Sequence, residues 1–158
     1  MRNRVKLALG AVAIIAALLL AAPAAQASSK YWASASKASY VKTSSGAKLG
    51  KGYGVAYATT VNVKDRAHYR WIIGKHGIYV WDHFYFYEYS AQKQRYAYES
   101  AGQIRHTATS SGSYKTTTAA KRLHLQADKA RVSAKVCTDV PFLVPGRCGP
   151  DHLLTVTY

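Results

Sequence analysis

The stretch that decides the fold runs from residue 78 to residue 89 and reads IYVWDHFYFYEY. Its side chains alternate between two sets, and a period of two places the sets on opposite faces of a β-strand. One set contains the purely apolar rings of Phe84 and Phe86, which predicts that this side faces the core. The other set is a row of rings with polar tips, a candidate binding face for sugar or base rings. The row consists of Tyr79, Trp81, His83, Tyr85, Tyr87 and Tyr89.

Two other interpretations of this row stay open. Tyrosine is frequent in strands because its ring packs well across neighbouring strands, so the row need not bind anything. The row is also compatible with the core side of a large sandwich.

The same alternation recurs along most of the chain and predicts further strands. We predict strands at residues 53–63, 66–73, 78–89, 95–100, 104–109, 114–118, 131–138 and 153–158. For residues 119–127, we favour a strand over a helix. The turn at residues 74–77 predicts a hairpin between its flanking strands, and Ala101-Gly102 predicts a turn or bulge. Short strands separated by turns are typical of an all-β protein, here a single antiparallel β-sandwich or barrel.

Residues 1–27 have the three parts of a secretory signal peptide. Basic residues at the start precede an uncharged apolar run over residues 7–22, and the small-x-small site Ala25-Gln26-Ala27 follows. We predict cleavage between Ala27 and Ser28 and release to the cell exterior. We expect no membrane anchor, because the apolar run is shorter than the ~20 residues of a spanning helix.

The chain is strongly basic, with 22 Lys and Arg, 7 Asp and Glu, and a net charge of +15. Removal of residues 1–27 takes three basic residues, which leaves 19 and a net charge of +12. Low hydrophobicity, serine richness and one-sided charge predict that residues 28–51 form a flexible arm. The β domain is then expected over residues 52–158.

Residues 28–64 hold six lysines and no acidic residue, so they carry half of the +12. A protein with this charge is drawn to polyanions such as wall teichoic polymers, anionic lipids or extracellular nucleic acid. The alternative is that the net charge serves only solubility. The candidate polyanion contacts are Lys30, Lys37, Lys42, Lys48, Lys51 and Lys64.

Cys137 and Cys148 are the only cysteines of the chain. An even count in an exported protein predicts a disulfide between them. Two cysteines with ten residues between them and no paired histidine do not have a zinc-site spacing.

No motif in the sequence specifies a reaction, a metal or a cofactor. The six histidines lack metal-ligand spacing, and no Gly-x-Ser-x-Gly occurs. Asp82 and Glu88 share a predicted strand face, but six residues at ~3.3 Å each separate them by roughly 20 Å. A pair from different strands, such as Glu88 with Glu99, stays open for glycoside hydrolysis.

These observations favour a secreted, non-enzymatic binding protein at the cell exterior, with an anionic cell-wall polymer or a glycan as partner. We predict no cofactor and no metal, and we do not expect sequence-specific recognition of nucleic acid. One alternative is a small secreted hydrolase whose carboxylates converge from different strands. Another is a cationic antimicrobial or toxin-like protein.

Three segments carry a resemblance to a known group. They are the signal segment, the stretch Val61-Asn62-Val63-Lys64-Asp65, and the closing stretch at residues 131–137 with Cys148. In these segments the chain resembles small secreted β-rich proteins of high-GC Gram-positive bacteria. The resemblance implies export, a β-fold and a disulfide, and it transfers no site residue.

Overall fold

The computed structural model describes residues 28–140 and 146–158. The predicted signal peptide lies outside the described residues, as does part of the loop between the two cysteines. Nine strands follow one another along the described chain: β1 (Ser29–Ala33), β2 (Ser39–Lys42), β3 (Lys48–Ala58), β4 (Asn62–Trp71), β5 (Ile78–Ser90), β6 (Arg95–Arg105), β7 (Lys115–Arg122), β8 (Lys129–Thr138) and β9 (His152–Thr157).

The strands form two antiparallel sheets, which confirms the predicted antiparallel all-β fold and, of the sandwich and the barrel, selects the sandwich. Sheet I has the order β1-β3-β4-β7, and β2 also pairs with β3. Sheet II has the order β6-β5-β8-β9. The sheets pack face to face and do not close into one barrel.

Strand β5 lies inside sheet II, between β6 and β8. Phe84 and Phe86 are fully buried, so this set faces the core as predicted. The alternating row from Tyr79 to Tyr87 is half-exposed, and Tyr89 is 54 % exposed. The ring row therefore lies on the outer face of sheet II and is not the core side of the sandwich.

The structure differs from the predicted arm at residues 28–51. This segment contains β1, β2 and the beginning of β3, and all three belong to sheet I. Trp32 and Val41 anchor it in the core, with exposures of 5 % and 0 %. The serines and lysines that suggested disorder occupy mainly outward positions and loops. The predicted domain boundary at residue 52 consequently falls inside β3.

Two predicted connections are also wrong. The expected single strand at residues 53–63 is broken by a turn, in which Thr59 accepts a hydrogen bond from the backbone N–H of Asn62 at 3.0 Å. The turn at residues 74–77 exists, but it does not make a hairpin. Strand β4 pairs with β3 and β7, whereas β5 lies in the other sheet. The chain thus crosses from sheet I to sheet II at this turn.

Strand prediction for residues 119–127 is correct only in its first half. Strand β7 ends at Arg122, and residues 123–128 connect it to β8 with a turn at residues 125–126. The Ala101-Gly102 feature is a β-bulge within β6, where the register shifts opposite Phe84 and Tyr85. Gly102 has a φ of +98°, a conformation that favours glycine.

The core divides into two apolar clusters. One contains Phe84, Phe86 and Val63, and the other contains Trp32, Tyr69 and their neighbours. The predicted disulfide between Cys137 and Cys148 is present and ties the segment before β9 to β8.

Candidate functional site

The outer face of sheet II carries rings and cations in neighbouring positions. Arg105 lies over the ring of Tyr79 at 4.1 Å, and Lys135 lies over Trp81 at 4.9 Å. Lys129 covers Tyr87 at 4.1 Å, and Arg131 covers Tyr98 at 3.6 Å. Cations at these distances are held by the ring faces. One face of each of these four rings is thereby occupied.

A hydrogen-bonded group lies in the middle of this face. His83 Nε2 pairs with Ser100 Oγ at 2.7 Å, and the Tyr85 hydroxyl pairs with His83 Nδ1 at 2.8 Å. Partial burial lowers the pKa of His83, Lys135 adds to the effect, and Asp151 opposes it. The depression beside it has a volume of about 140 Å³. It is smaller than the roughly 300–1,000 Å³ of usual small-molecule pockets.

The outer face of sheet I is basic along one strand. The outward residues of β4 after Asn62 include Lys64, Arg66, His68 and Arg70, which alternate with buried inward residues. Side chains at alternate positions lie about 7 Å apart along a strand. Lys51 of β3 pairs in register with Arg70 and adds a fourth lysine or arginine.

Aromatic rings accompany these cations. The ring of Tyr53 stacks on His68 at 4.9 Å, and Tyr57 lies opposite Lys64. Arg66 lies 6.0 Å from the Tyr57 ring, farther than any of the four cation–ring pairs on sheet II. Partial burial, and secondly the charge of Arg66, lower the pKa of His68.

No carboxylate shares this face in the described strands. The one acidic residue in those strands of sheet I is Asp65, whose side chain points inward and is fully buried. We name the surface formed by Lys51, Lys64, Arg66 and Arg70 the basic face.

The six lysines predicted to contact a polyanion lie in different parts of the structure. Lys51 and Lys64 belong to the basic face. The remaining four are exposed on β1, on β2, at the start of β3 and in the intervening loop. Lys37 and Lys42 line a cavity of about 430 Å³ beside Cys148 and His152. The six therefore do not form one patch.

The two glutamates considered for hydrolysis, Glu88 and Glu99, are each paired with a basic side chain. Glu88 Oε2 pairs with His124 at 2.9 Å, and Glu99 Oε1 pairs with Lys93 at 2.8 Å. The hydrogen bond that Glu99 accepts from Lys93 lowers the pKa of Glu99. Each glutamate is thus held by its own basic partner.

Two other carboxylates do meet, but inside the core. Asp65 of β4 and Asp82 of β5 are both fully buried, and His106 is 5 % exposed. His106 Nε2 lies 2.6 Å from Asp82 Oδ2, and His106 Nδ1 pairs with Thr117 Oγ1. The Trp32 indole donates to both oxygens of Asp65, at 3.1 and 3.3 Å.

We name Asp65, Asp82 and His106 the buried triad. It lies between the two apolar clusters, since Val63 and Phe84 belong to one and Ala67 and Val80 to the other. Burial raises the pKa of Asp65 well above its usual value, and the Asp82 charge adds to this. Burial also raises the pKa of Asp82 and lowers the pKa of His106.

Sequence reasoning missed Arg66 and Arg70 as site residues, although it placed both in a strand. The outward alternation along β4 was the available signal. It also missed the buried triad, for which the signal was an aspartate at an inward position between apolar residues. His106 gives no such signal, because it lies after the end of β6.

In comparisons with known proteins, no family model, curated protein or solved structure matches the chain. Within the part of the chain that the structure describes, no helix has the length and apolarity to cross a membrane.

Proposed function

We propose that the protein binds anionic polymers at the cell exterior through the basic face of sheet I. The observation that carries this proposal is the row of outward cations on β4, with no carboxylate in the described strands of that face. A polymer with regularly spaced negative charges can neutralise several of these cations at once and release its counterions. The protein's affinity for such a polymer then depends on the charge of the polymer rather than on the sequence of its units.

The geometry of a β-sheet surface suits a chain-like ligand. The cations repeat at about 7 Å along β4, and the rings of Tyr53 and Tyr57 lie on the adjacent strand. Rings beside cations provide stacking for sugars or bases between the charged groups. This combination supports a polymer of phosphate or carboxylate groups joined by sugar or similar units.

The outer face of sheet II is less suited to the same ligand. Its four cations lie against ring faces at 3.6–4.9 Å, so these cations and rings already interact with one another. Arg105 additionally pairs with Asp139. A polyanion would have to displace these contacts. On the basic face, Lys51 and Arg70 lie farther from a ring, at 5.7 and 5.1 Å from that of Tyr114, and no carboxylate competes in the described strands.

Location at the cell exterior belongs to the same proposal. The signal-like residues 1–27 support export, and the Cys137–Cys148 disulfide is typical of an oxidising compartment. A binding role without catalysis is supported by the pairing of Glu88 and Glu99 with separate basic partners.

The test compares the mature protein with a double variant, Lys64→Gln with Arg66→Gln. Deletion of residues 28–51 would remove β1, β2 and part of β3, so point substitutions are required. The ligands are a wall teichoic polymer, a single-stranded oligonucleotide and a neutral glycan, each at two salt concentrations. On the oligonucleotide, the double variant should reduce the log–log salt slope by about 1.4, at roughly 0.7 per contact.

The matched control is Lys75→Gln with Arg147→Gln, which removes the same charge from loop positions. It should retain most of the affinity and the salt slope. Equal losses of affinity in both double variants would show that binding depends on net charge alone. Salt-independent binding to the neutral glycan would contradict the basic face as the site.

A further inference from the structure

We propose that the buried triad of Asp65, Asp82 and His106 binds one divalent transition-metal ion, of the Zn²⁺ or Mn²⁺ type, between the two sheets. This site is independent of the basic face, which lies on the opposite side of β4. The ion would act structurally, because all three side chains are buried away from any substrate in solution.

The three ligand atoms already converge. One carboxylate oxygen from each aspartate and one imidazole nitrogen of His106 lie within 4.8 Å of one another. An ion with bonds of about 2.0–2.2 Å keeps its ligands within roughly 4.4 Å of one another. Small side-chain rotations are therefore sufficient to close the site. The ligands come from β4, from β5 and from the residue after β6, so the ion would join both sheets.

An unsatisfied oxygen points independently to a missing ligand. Asp82 Oδ1 is buried and has no hydrogen-bond partner, although Oδ2 is held by His106. A buried carboxylate oxygen without a partner carries a large desolvation cost. Asp65 is within hydrogen-bonding reach, but it can donate only when it is protonated. A cation between the two carboxylates would satisfy this oxygen without a proton.

Charge balance supports a divalent ion. Metal binding requires both carboxylates ionised and the imidazole neutral, and in that state the triad carries a charge of −2. Among the described residues, no lysine or arginine forms a salt bridge with either aspartate. Bound M²⁺ would make the site neutral. An imidazole with two carboxylates suits Zn²⁺ or Mn²⁺, because imidazole favours transition metals over Ca²⁺ and Mg²⁺.

The side chains of the buried triad are held by hydrogen bonds of the kind that metal-binding side chains usually make. Metal-bound histidines usually engage their second ring nitrogen with another group, and metal-bound carboxylates usually accept further hydrogen bonds. Here Thr117 engages His106 Nδ1, and the Trp32 indole donates to Asp65. Both contacts fix the orientation that binding requires.

The first experiment measures the metal content of the full secreted protein, purified without chelator, by elemental mass spectrometry. We expect about one equivalent of ion per chain. The protein is then unfolded with EDTA and refolded with or without Zn²⁺, Mn²⁺ or Co²⁺. We expect a higher Tm with ion, and visible absorption from bound Co²⁺. Metal-free wild-type protein that refolds to the same Tm with and without each ion would overturn the proposal.

Two variants distinguish the ion from a proton shared by the aspartates. Asp65→Asn and His106→Gln should lose the ion and its Tm increment, whereas the exposed control Asp128→Asn should retain both. With a shared proton instead, the amide that Asp65→Asn introduces would donate to Asp82 Oδ1, and Tm at neutral pH would be maintained or raised. That result would contradict a metal site. If both variants fail to fold, the wild-type metal content and refolding decide the question.

Discussion

Trp32 on β1 donates its indole N–H to Asp65 on β4, across the strand that separates them in sheet I. The separating strand is β3, and the indole passes over it at Gly54. A Cβ at Gly54 would lie 2.4 Å from Trp32 Nε1 and 2.6 Å from the carbonyl oxygen of Arg66. The hydrogen bond in the core therefore depends on the absence of a side chain at residue 54.

Gly54→Ala should lower the free energy of unfolding by about 2–3 kcal/mol. The added methyl group overpacks the interior, and displacement of Trp32 leaves Asp65 without its buried donor. Urea unfolding followed by circular dichroism measures the change. The control is Gly112→Ala, because a Cβ there meets nothing within 4 Å. Its effect should stay within about 0.5 kcal/mol, and equal effects of the two substitutions would contradict the packing argument.

The sequence predicts β5 and β8 well because large or branched apolar side chains alternate there with polar ones. It predicts β3 only in part, because the predicted strand at residues 53–63 covers the second half of β3 and misses the first. The inward positions of β3 are the small residues Gly50, Gly52, Gly54, Ala56 and Ala58. Small residues give no hydrophobic alternation, yet they leave space for Trp32, Tyr69, Ile78 and Val136, which come from other strands. A period of two in glycine was the signal for this strand.

Sheet membership and the buried triad lie beyond local patterns for a different reason. A turn sequence such as residues 74–77 indicates that the chain reverses, but tertiary packing decides which sheet the next strand joins. Likewise, Asp65, Asp82 and His106 come together only after β4 and β5 are placed in opposing sheets. Lys51 and Lys64 were candidates from charge alone, and the alternation along β4 was a signal for Arg66 and Arg70. Only the position of Lys51 beside Arg70 required the strand register.

Replacement of both cysteines by serine should destabilise the segment before β9 more than the rest of the molecule. The disulfide closes a loop with a sequence separation of 11, for which chain entropy gives about 3 kcal/mol. Hydrogen exchange should rise most at residues 146–150, and less in β5 and β6, where the hairpin is independent of the bridge. Uniformly faster exchange would show that the disulfide supports the whole sandwich.

Tyr158→Phe should improve stability at alkaline pH. The hydroxyl of Tyr158 is buried without a hydrogen-bond partner. Burial raises its pKa to about 12, with contributions from Asp128 and Glu88. The unfolded chain loses this proton near pH 10, before the folded chain does, so stability falls as pH rises from about 10 toward 12.

The measurement is urea unfolding of wild type and Tyr158→Phe at about pH 8, 10 and 11, on either side of the unfolded tyrosine pKa. At the lowest pH, removal of the unsatisfied hydroxyl should be neutral or stabilising by up to about 1 kcal/mol. At the highest pH, the difference should widen in favour of the variant. Tyr31→Phe serves as the control because Tyr31 is 73 % exposed. A constant difference across this pH range would refute the alkaline effect.

Substitution of two cations on sheet II should leave polyanion binding largely intact. Arg131 and Lys135 lie against the rings of Tyr98 and Trp81, at 3.6 and 4.9 Å. Arg131→Gln with Lys135→Gln removes the same charge as Lys64→Gln with Arg66→Gln. The sheet II variant should lose about 0.5–1 kcal/mol of stability per cation–ring contact, with little change in the salt slope of oligonucleotide binding. Should its affinity fall as far as that of the sheet I variant, the polyanion surface would have to be reassigned to the ring-covered face.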